Sequence, residues 1–212
     1  MLRLVTAPLI EPITRDEAKE FLRVDHDNDD ELITSLISAA RFNLEDYISQ
    51  ALITQTWDLY LDSFPADRSM GVDSWWDGER QGSISQLFQY QASIELNRIP
   101  VQSITSFTVF TLTNAPIILD PRSYFLDSIT QPNRVTLTPG YTWPISMGLR
   151  WTNAIQIRFL TGFGTTRIDV PNDIKYALKL IMAQMYDKRS EKFDLTSAKE
   201  ILAGYRLGAL HI

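Results

Sequence analysis

The sequence predicts an α+β protein in which N-terminal and C-terminal helices form a helical bundle and an antiparallel β domain is inserted between them. Three observations carry this expectation. From Leu32 to Ile48 apolar residues recur at three- and four-residue steps; from Trp57 to Phe159 the period falls to two and turn residues recur; from Ile174 to Tyr186 the helical period returns. The expected parts are 1–51, the first helical portion; 52–164, the β domain, with a long loop at 65–91; and 165–212, the second helical portion with a docking tail.

The segment Pro8 to Pro12 reads as an extended lead-in, after which Thr14 and Glu17 have the spacing of a capping box, with Ile13 and Ala18 placed as a hydrophobic staple. A short helix to about Leu22 follows. The longest stripe comes next: Leu32, Ile33, Leu36, Ile37, Ala40, Leu44, Tyr47 and Ile48 share one face. Asn28 and Glu31 are expected to cap it reciprocally, and Asp29, Asp30 and Glu31 complement the positive end of the helix dipole. A helix of this kind cannot bury its stripe alone, so its partners are sought in the helix before it and at the far end of the chain.

After Ala51 the alternation of Trp57, Leu59 and Leu61 with Asp58, Tyr60 and Asp62 predicts a half-buried strand. Further strands are expected at Ser93 to Leu96, Ile104 to Leu112, Ile117 to Leu119, Tyr124 to Leu126, Arg134 to Leu137 and Ala154 to Phe159, divided by Pro, Asn and Gly turn residues. Close turns without helical pattern between them imply a small antiparallel sheet or sandwich. Inside this region 65–91 is rich in Gly, Ser, Asp and Gln and carries the adjacent pair Trp75 and Trp76, for which two readings stand: a contact with a partner, or a flap folded on its own sheet.

Pro171 is expected in the first turn of a helix whose stripe is Ile174, Ala177, Leu178, Ile181, Met182, Met185 and Tyr186, with Lys188 and Arg189 at its negative end. Ser197 and Glu200 are placed to cap a last short helix, and Gly204 to stop it. The final residues Tyr205, Arg206, Leu207, Leu210 and Ile212 belong to a tail too apolar to stay solvated, which should dock on something.

Composition bounds the function. The chain has 212 residues, 44% hydrophobic and 22% charged, which is ordinary for a packed globular protein. A formal net charge of -6 offers no global attraction to nucleic acid or anionic membranes. Without cysteine there are no disulfides or thiolate metal sites. The absence of a signal-peptide pattern or a long apolar run predicts a soluble protein that is intracellular at synthesis and has no membrane partner.

No catalytic set emerges. His26 and His211 are the only histidines and lie far apart, so a nucleophile-base relay or a multi-histidine metal site lacks its parts. Asp25, Asp27 and Asp29 alternate as in a calcium loop, but Asp30 stands where the sharp turn needs Gly and Leu36 where a bidentate Glu is required. A helix-capping acidic turn is expected there, with no metal. Gly162-Phe163-Gly164 is too short to cradle phosphate and reads as the end of a strand. The expectation is a non-enzymatic protein without cofactor.

The ordered landmarks resemble a known family. Ile13-Thr14-Arg15-Asp16-Glu17-Ala18-Lys19-Glu20-Phe21-Leu22-Arg23-Val24-Asp25, the acidic turn, the long helix and Ala51-Leu52-Ile53-Thr54-Gln55-Thr56-Trp57 are similar to tailed-phage head-tail connector (adaptor) proteins. So are Arg158-Phe159-Leu160-Thr161-Gly162-Phe163-Gly164, Val170-Pro171, the helix ending near Tyr186-Asp187-Lys188-Arg189 and Ala203-Gly204-Tyr205-Arg206. The resemblance covers nearly the whole chain and extends to adaptors of gene transfer agents. It implies a virion structural protein at the head-tail junction, assembled in the host cytoplasm as a ring, typically a dodecamer. Such a ring lies beneath the portal protein, contacts stopper or tail proteins and passes DNA through its centre as non-specific cargo. One branch of the family inserts β structure between its helices. The 65–91 loop is longer than that pattern.

Within this setting the site expectations rest on this chain's own residues, the Trp75 and Trp76 loop above all, where the chain departs from the family pattern. Asp25, Asp27, Asp29, Asp30 and Glu31 face the channel lumen or a neighbouring subunit, with a solvated turn as the plain alternative. Tyr205, Arg206, Leu207, Leu210 and Ile212 dock on the portal or a neighbour. Trp75 and Trp76 make a loop contact, and Arg41, Asn43, Glu45 and Asp46, on the polar face of the long helix, touch the next subunit. The competing functions are a tail-terminator or stopper, and a β-domain module that binds a ligand by stacking on Trp75 and Trp76.

Overall fold

The computed structural model describes residues 1–64, 93–144, 148–188 and 196–206. Helices and antiparallel strand pairs are both present, so the α+β class holds. Helix α1 spans Arg15–Leu22. Its capping box forms as expected: the Glu17 amide donates to Thr14 Oγ1 at 3.1 Å and the Thr14 amide donates to the Glu17 carboxylate at 2.8 Å. Ile13 and Ala18, the staple pair, are both buried. Arg23, in the left-handed region at φ 57°, turns the chain out of the helix while its amide returns to the last carbonyls.

Helix α2 spans Asp30–Ile48 and buries Ile33, Ile37, Ala40, Leu44 and Ile48. The expected cap is corrected. The chain enters the helix at Asp29 and not at Asn28, and Asp29 makes no side-chain capping bond. Its carboxylate instead accepts the Tyr186 hydroxyl at 2.5 Å, so a tertiary partner has taken the group that local geometry would have used.

Helix α3 spans Asn172–Asp187 and buries Ile174, Ala177, Leu178, Ile181 and Met182. Pro171 stands immediately before the first helical residue, one position earlier than expected. Helix α4 spans Thr196–Leu202, so Ser197 lies within it instead of ahead of it. Gly204 does not terminate it either: the helix ends at Leu202, and Gly204 belongs to a following 3₁₀ turn, Ala203–Tyr205.

The strands are β1 Leu2–Thr6, β2 Gln55–Leu61, β3 Ile94–Leu96, β4 Val101–Phe110, β5 Pro116–Ile118, β6 Tyr124–Asp127, β7 Asn133–Leu137 and β8 Ile155–Thr161. They form a five-stranded sheet in the order β1-β2-β8-β4-β5 and a three-stranded sheet in the order β3-β7-β6. The antiparallel register pairs Thr108 with Ile118, Ile94 with Val135, and Tyr124 with Leu137. β1 has no counterpart in the alternation analysis because an edge strand exposed on both faces leaves no period-two signature. β4 ends two residues before the expected Leu112, where Thr111 N donates to Ala115 O at 3.1 Å and begins the turn.

The chain divides into two compact units. The first, Met1–Arg3, Asp58–Leu96 and Ser103–Phe159, has an aromatic centre. Trp143 stacks on Phe64 at 4.9 Å between centroids and meets Phe107 at 5.5 Å, and Phe107 meets Tyr124 at 5.2 Å. The second, Leu4–Trp57, Asn97–Gln102 and Leu160–Ile212, holds helices α1 to α4 around one core. Ile33, Ile37, Leu44, Ile174, Leu178, Ile181 and Leu202 lie together there, each contributing about 1.5–3 kcal/mol through its removal from water. Ala40 and Ala177, both fully buried, are the small residues that let facing helices approach.

Candidate interface residues

The acidic turn ahead of α2 is a partly neutralised structure. Lys19 of α1 reaches both Asp27 at 2.7 Å and Asp30 at 2.8 Å, and Arg15 reaches the other Asp30 oxygen at 2.9 Å. The Lys19 ammonium holds the Asp27 carboxyl below its ordinary range, and hydrogen bonds to Asp27 and Asp30 raise Lys19 in return. Asp29 binds Tyr186. Three of the five acids are thus tied to α1 or α3, whereas Asp25 and Glu31 are exposed and, among the described residues, make no ion pair. No group of three or more His, Asp or Glu among the described residues is placed to hold a metal ion.

On α2 the expected polar face is corrected at Glu45, which is 4% exposed. Its Oε1 accepts the Leu52 amide at 2.8 Å and Gln55 Nε2 at 2.6 Å, and its Oε2 accepts Arg41 Nη1 at 3.0 Å. Arg41 continues to Glu11 at 2.7 Å. Arg98 Nη1 donates to the Glu45 backbone carbonyl at 2.6 Å, and its guanidinium lies 4.6 Å from the centre of the Trp57 ring. Burial pushes Glu45 up from the usual carboxylate range, against the pull of Arg41 and the Leu52 amide. Burial would lower Arg41, but its bonds to Glu11 and Glu45 leave it raised; Arg98, held mainly by a carbonyl, is lowered by burial.

The apolar stripe alone leaves Glu45 on the polar face of α2, turned toward the next subunit, because it counts only apolar residues. The signal it missed is the spacing: Glu45 lies four residues after Arg41 and three before Ile48, which puts a charge pair beside the apolar stripe. Of the remaining α2 residues, Asn43 bonds its own helix at Ala39 O, 2.7 Å away, and Asp46 is exposed. Phe42, between Arg41 and Asn43, is 64% exposed.

At the C-terminal end, Gln50 Nε2 donates to the Tyr205 carbonyl and Arg206 sits over the Tyr47 ring at 5.3 Å. The last described residues therefore lie against the C-terminal end of α2. Leu207, Leu210 and Ile212 lie outside the described residues, as do Trp75 and Trp76.

Residues 13–96 match the family model of phage gp6-like head-tail connector proteins. This part of the chain is similar to head-tail connector proteins. It takes in the capping box, the acidic turn, α2 with Glu45, and strands β2 and β3. No curated protein matches. Among solved structures, the chain is similar to one from the neck of an empty gene transfer agent (GTA) particle computed with C6 symmetry, and to one from the virion of a native GTA particle. Both likenesses have a TM-score of 0.74 at 20% identity, covering 99% of this chain and 97% of the other. A chain from the neck of a native GTA particle computed with C12 symmetry gives 0.70 at 18% identity over the same shares. At these identities the likeness is one of fold, and it runs the length of the chain.

Proposed function

We propose that this chain is the head-tail connector (adaptor) of a tailed phage or gene transfer agent-like particle, forming a ring under the portal through which DNA passes. The observation that supports this most directly is the agreement of two independent likenesses: the connector match over residues 13–96 and the neck-protein fold over 99% of the chain. In this reading the N- and C-terminal helices form the bundle that carries the ring, and 52–164 is a β insertion. A ring is the closed outcome of a heterologous contact between identical subunits. Asn43 and Asp46, together with the exposed Phe42, supply that contact, with Arg41 and Glu45 holding the helix behind them. Asp25 and Glu31, the two acids with no ion pair among the described residues, face the lumen and keep phosphates from adhering. The chain from Tyr205 to Ile212 docks on the portal protein, and stopper or tail proteins close the other side. Assembly takes place in the host cytoplasm.

The test is imaging of particles made with and without the protein. A ring at the head-tail junction that disappears on deletion is the expected result. A cap sealing the tail-side channel would identify a stopper or terminator instead, and protein found only free of particles would overturn the reading in favour of a ligand-binding module. Truncation before Leu207 should give particles without bound connector; normal attachment would remove the docking role of the tail.

A further inference from the structure

We infer that Arg206, seated on the Tyr47 ring and fixed through Gln50, is a preset cation that takes a carboxylate of the protein on which this chain docks; the inference rests on the connector reading above. Its position is set from two sides. Ala198 and Leu202 of α4 are buried in the helical core, and the Gln50 side chain, 6% exposed, donates from Nε2 to the carbonyl of Tyr205, the residue before Arg206. The guanidinium itself lies 5.3 Å from the centre of the Tyr47 ring. A ring offers no oxygen acceptor, so this contact holds the charge and leaves the N–H fork available. Arg206 is exposed, and among the described residues no carboxylate pairs with it.

The end of α2 does not need this cation. The Glu45 carbonyl there already accepts Arg98 Nη1 at 2.6 Å and the Gln50 amide at 3.2 Å, and the Glu45 carboxylate is engaged by Arg41, Leu52 and Gln55. What the arrangement supplies is readiness: an arginine ordered before contact gives up less rotamer freedom on binding, and its planar fork matches a carboxylate in bidentate geometry. The chemistry of the partner follows from the surroundings. Asp46, next to Tyr47 in the chain, is exposed, and the chain carries a net charge of -6. A lone arginine in that setting suits one carboxylate, whereas gripping a nucleic-acid backbone takes a run of cations.

The experiment titrates particles assembled without this protein with the purified full chain and measures the bound fraction by sedimentation. Arg206→Ala should raise the half-saturating concentration about tenfold or more, as for an anchoring interface arginine. Arg206→Glu should raise it further by setting like charges face to face, and Arg206→Lys, which keeps the charge and loses the fork, should fall between wild type and Arg206→Ala. Tyr47→Leu and Gln50→Leu keep Arg206 and free its position, so each should weaken binding about three- to tenfold, the effect of ordering one side chain. The Arg206 variants alter only an exposed side chain, so they decide the matter even if Tyr47→Leu does not fold. Binding by Arg206→Ala equal to wild type, while the chain truncated before Leu207 fails to bind, would overturn this inference and leave the connector reading standing. Arg206→Glu binding better than Arg206→Ala, or wild-type retention of duplex DNA that Arg206→Ala loses, would also overturn it. A wild-type chain that does not bind the particles would bring down the docking reading and this inference together.

Discussion

Arg158 closes on Asp58 with two hydrogen bonds, Nε to Oδ1 at 2.7 Å and Nη2 to Oδ2 at 2.9 Å, between neighbouring strands β8 and β2. Asp58 is 1% exposed and also accepts Gln156 Nε2 at 2.7 Å. Burial alone would raise this carboxyl, but the bonds from Arg158 and Gln156 outweigh it and hold it below its ordinary range. Removing one partner of a fully buried pair costs about 3–5 kcal/mol. The Arg158 side chain is 39% exposed, so water relieves part of the strain on its partner. Arg158→Met should therefore destabilise the protein by about 2 kcal/mol in chemical denaturation. Asp58→Asn in the Arg158→Met background should recover part of the loss, because no unpaired charge is left behind. The pH dependence has a definite sign: a lowered carboxyl stabilises the fold above its unfolded value, and the contribution is lost as pH falls through the folded one. Loss of stability in acid should be shallower in Arg158→Met than in the wild type.

Gly162 follows β8 at φ 137°, and a Cβ there would stand 2.7 Å from the Ile53 carbonyl carbon and 2.7 Å from the Thr54 nitrogen. Both obstacles are backbone and cannot rotate aside. Gly162→Ala is expected to cost about 2–4 kcal/mol, the sum of left-handed strain and overpacking. Gly140 at φ 90° has no neighbour within 4 Å of a Cβ, so Gly140→Ala should cost about 1 kcal/mol from conformation alone. Melting curves of the two variants separate the steric term from the backbone term.

What could be read in advance divides along physical lines. The stripes of α2 and α3 and the Thr14 capping box were legible because their determinants lie within four residues. Asn28 failed as a cap because Asp29 and Asp30 are drawn to Tyr186, Lys19 and Arg15, residues that sequence proximity alone does not supply. β2 is legible from its alternation and Leu59 is buried as expected, but the burial of Asp58 is not legible there. Asp58 counts as polar in any alternation scheme, and Arg158 and Gln156, from a distant strand, make its burial tolerable. The burial of Glu45 is hidden for a similar reason: its donors at Leu52 and Gln55 come from the chain's return after α2.

Thr14 is the residue through which the lead-in sets α1. Thr14→Ala removes the side-chain acceptor of the Glu17 amide while the Glu17 carboxylate can still meet the Thr14-position amide. The expected loss is about 1 kcal/mol by urea denaturation. The Thr14 amide holds the Glu17 carboxyl below its ordinary range, so this half of the box contributes above the unfolded value and fades as acid protonates the folded form. A Thr14→Ser variant should keep nearly all the stability; an equal loss in Ser and Ala would point to packing of the methyl group instead.

The acidic turn separates folding from the proposed passage of DNA. Asp30 binds Lys19 and Arg15 with its two oxygens and has a side chain only 18% exposed, so Asp30→Asn should lower stability, by about 1 kcal/mol for loss of charge-assisted hydrogen bonds. Asp25 and Glu31 are exposed and unpaired among the described residues, so replacing both with Lys should leave the melting temperature within about 2 °C of the wild type, the range of neutral surface changes. If these two carboxylates face the channel, the same double substitution turns two repulsive positions per subunit into attractive ones, repeated around the ring. Particles carrying it should assemble with a normal ring yet release DNA more slowly, and the delay should shrink at higher salt as phosphate attraction is screened. Normal release kinetics with the ring in place would move Asp25 and Glu31 off the lumen. A failure to form rings would assign them to the subunit contact.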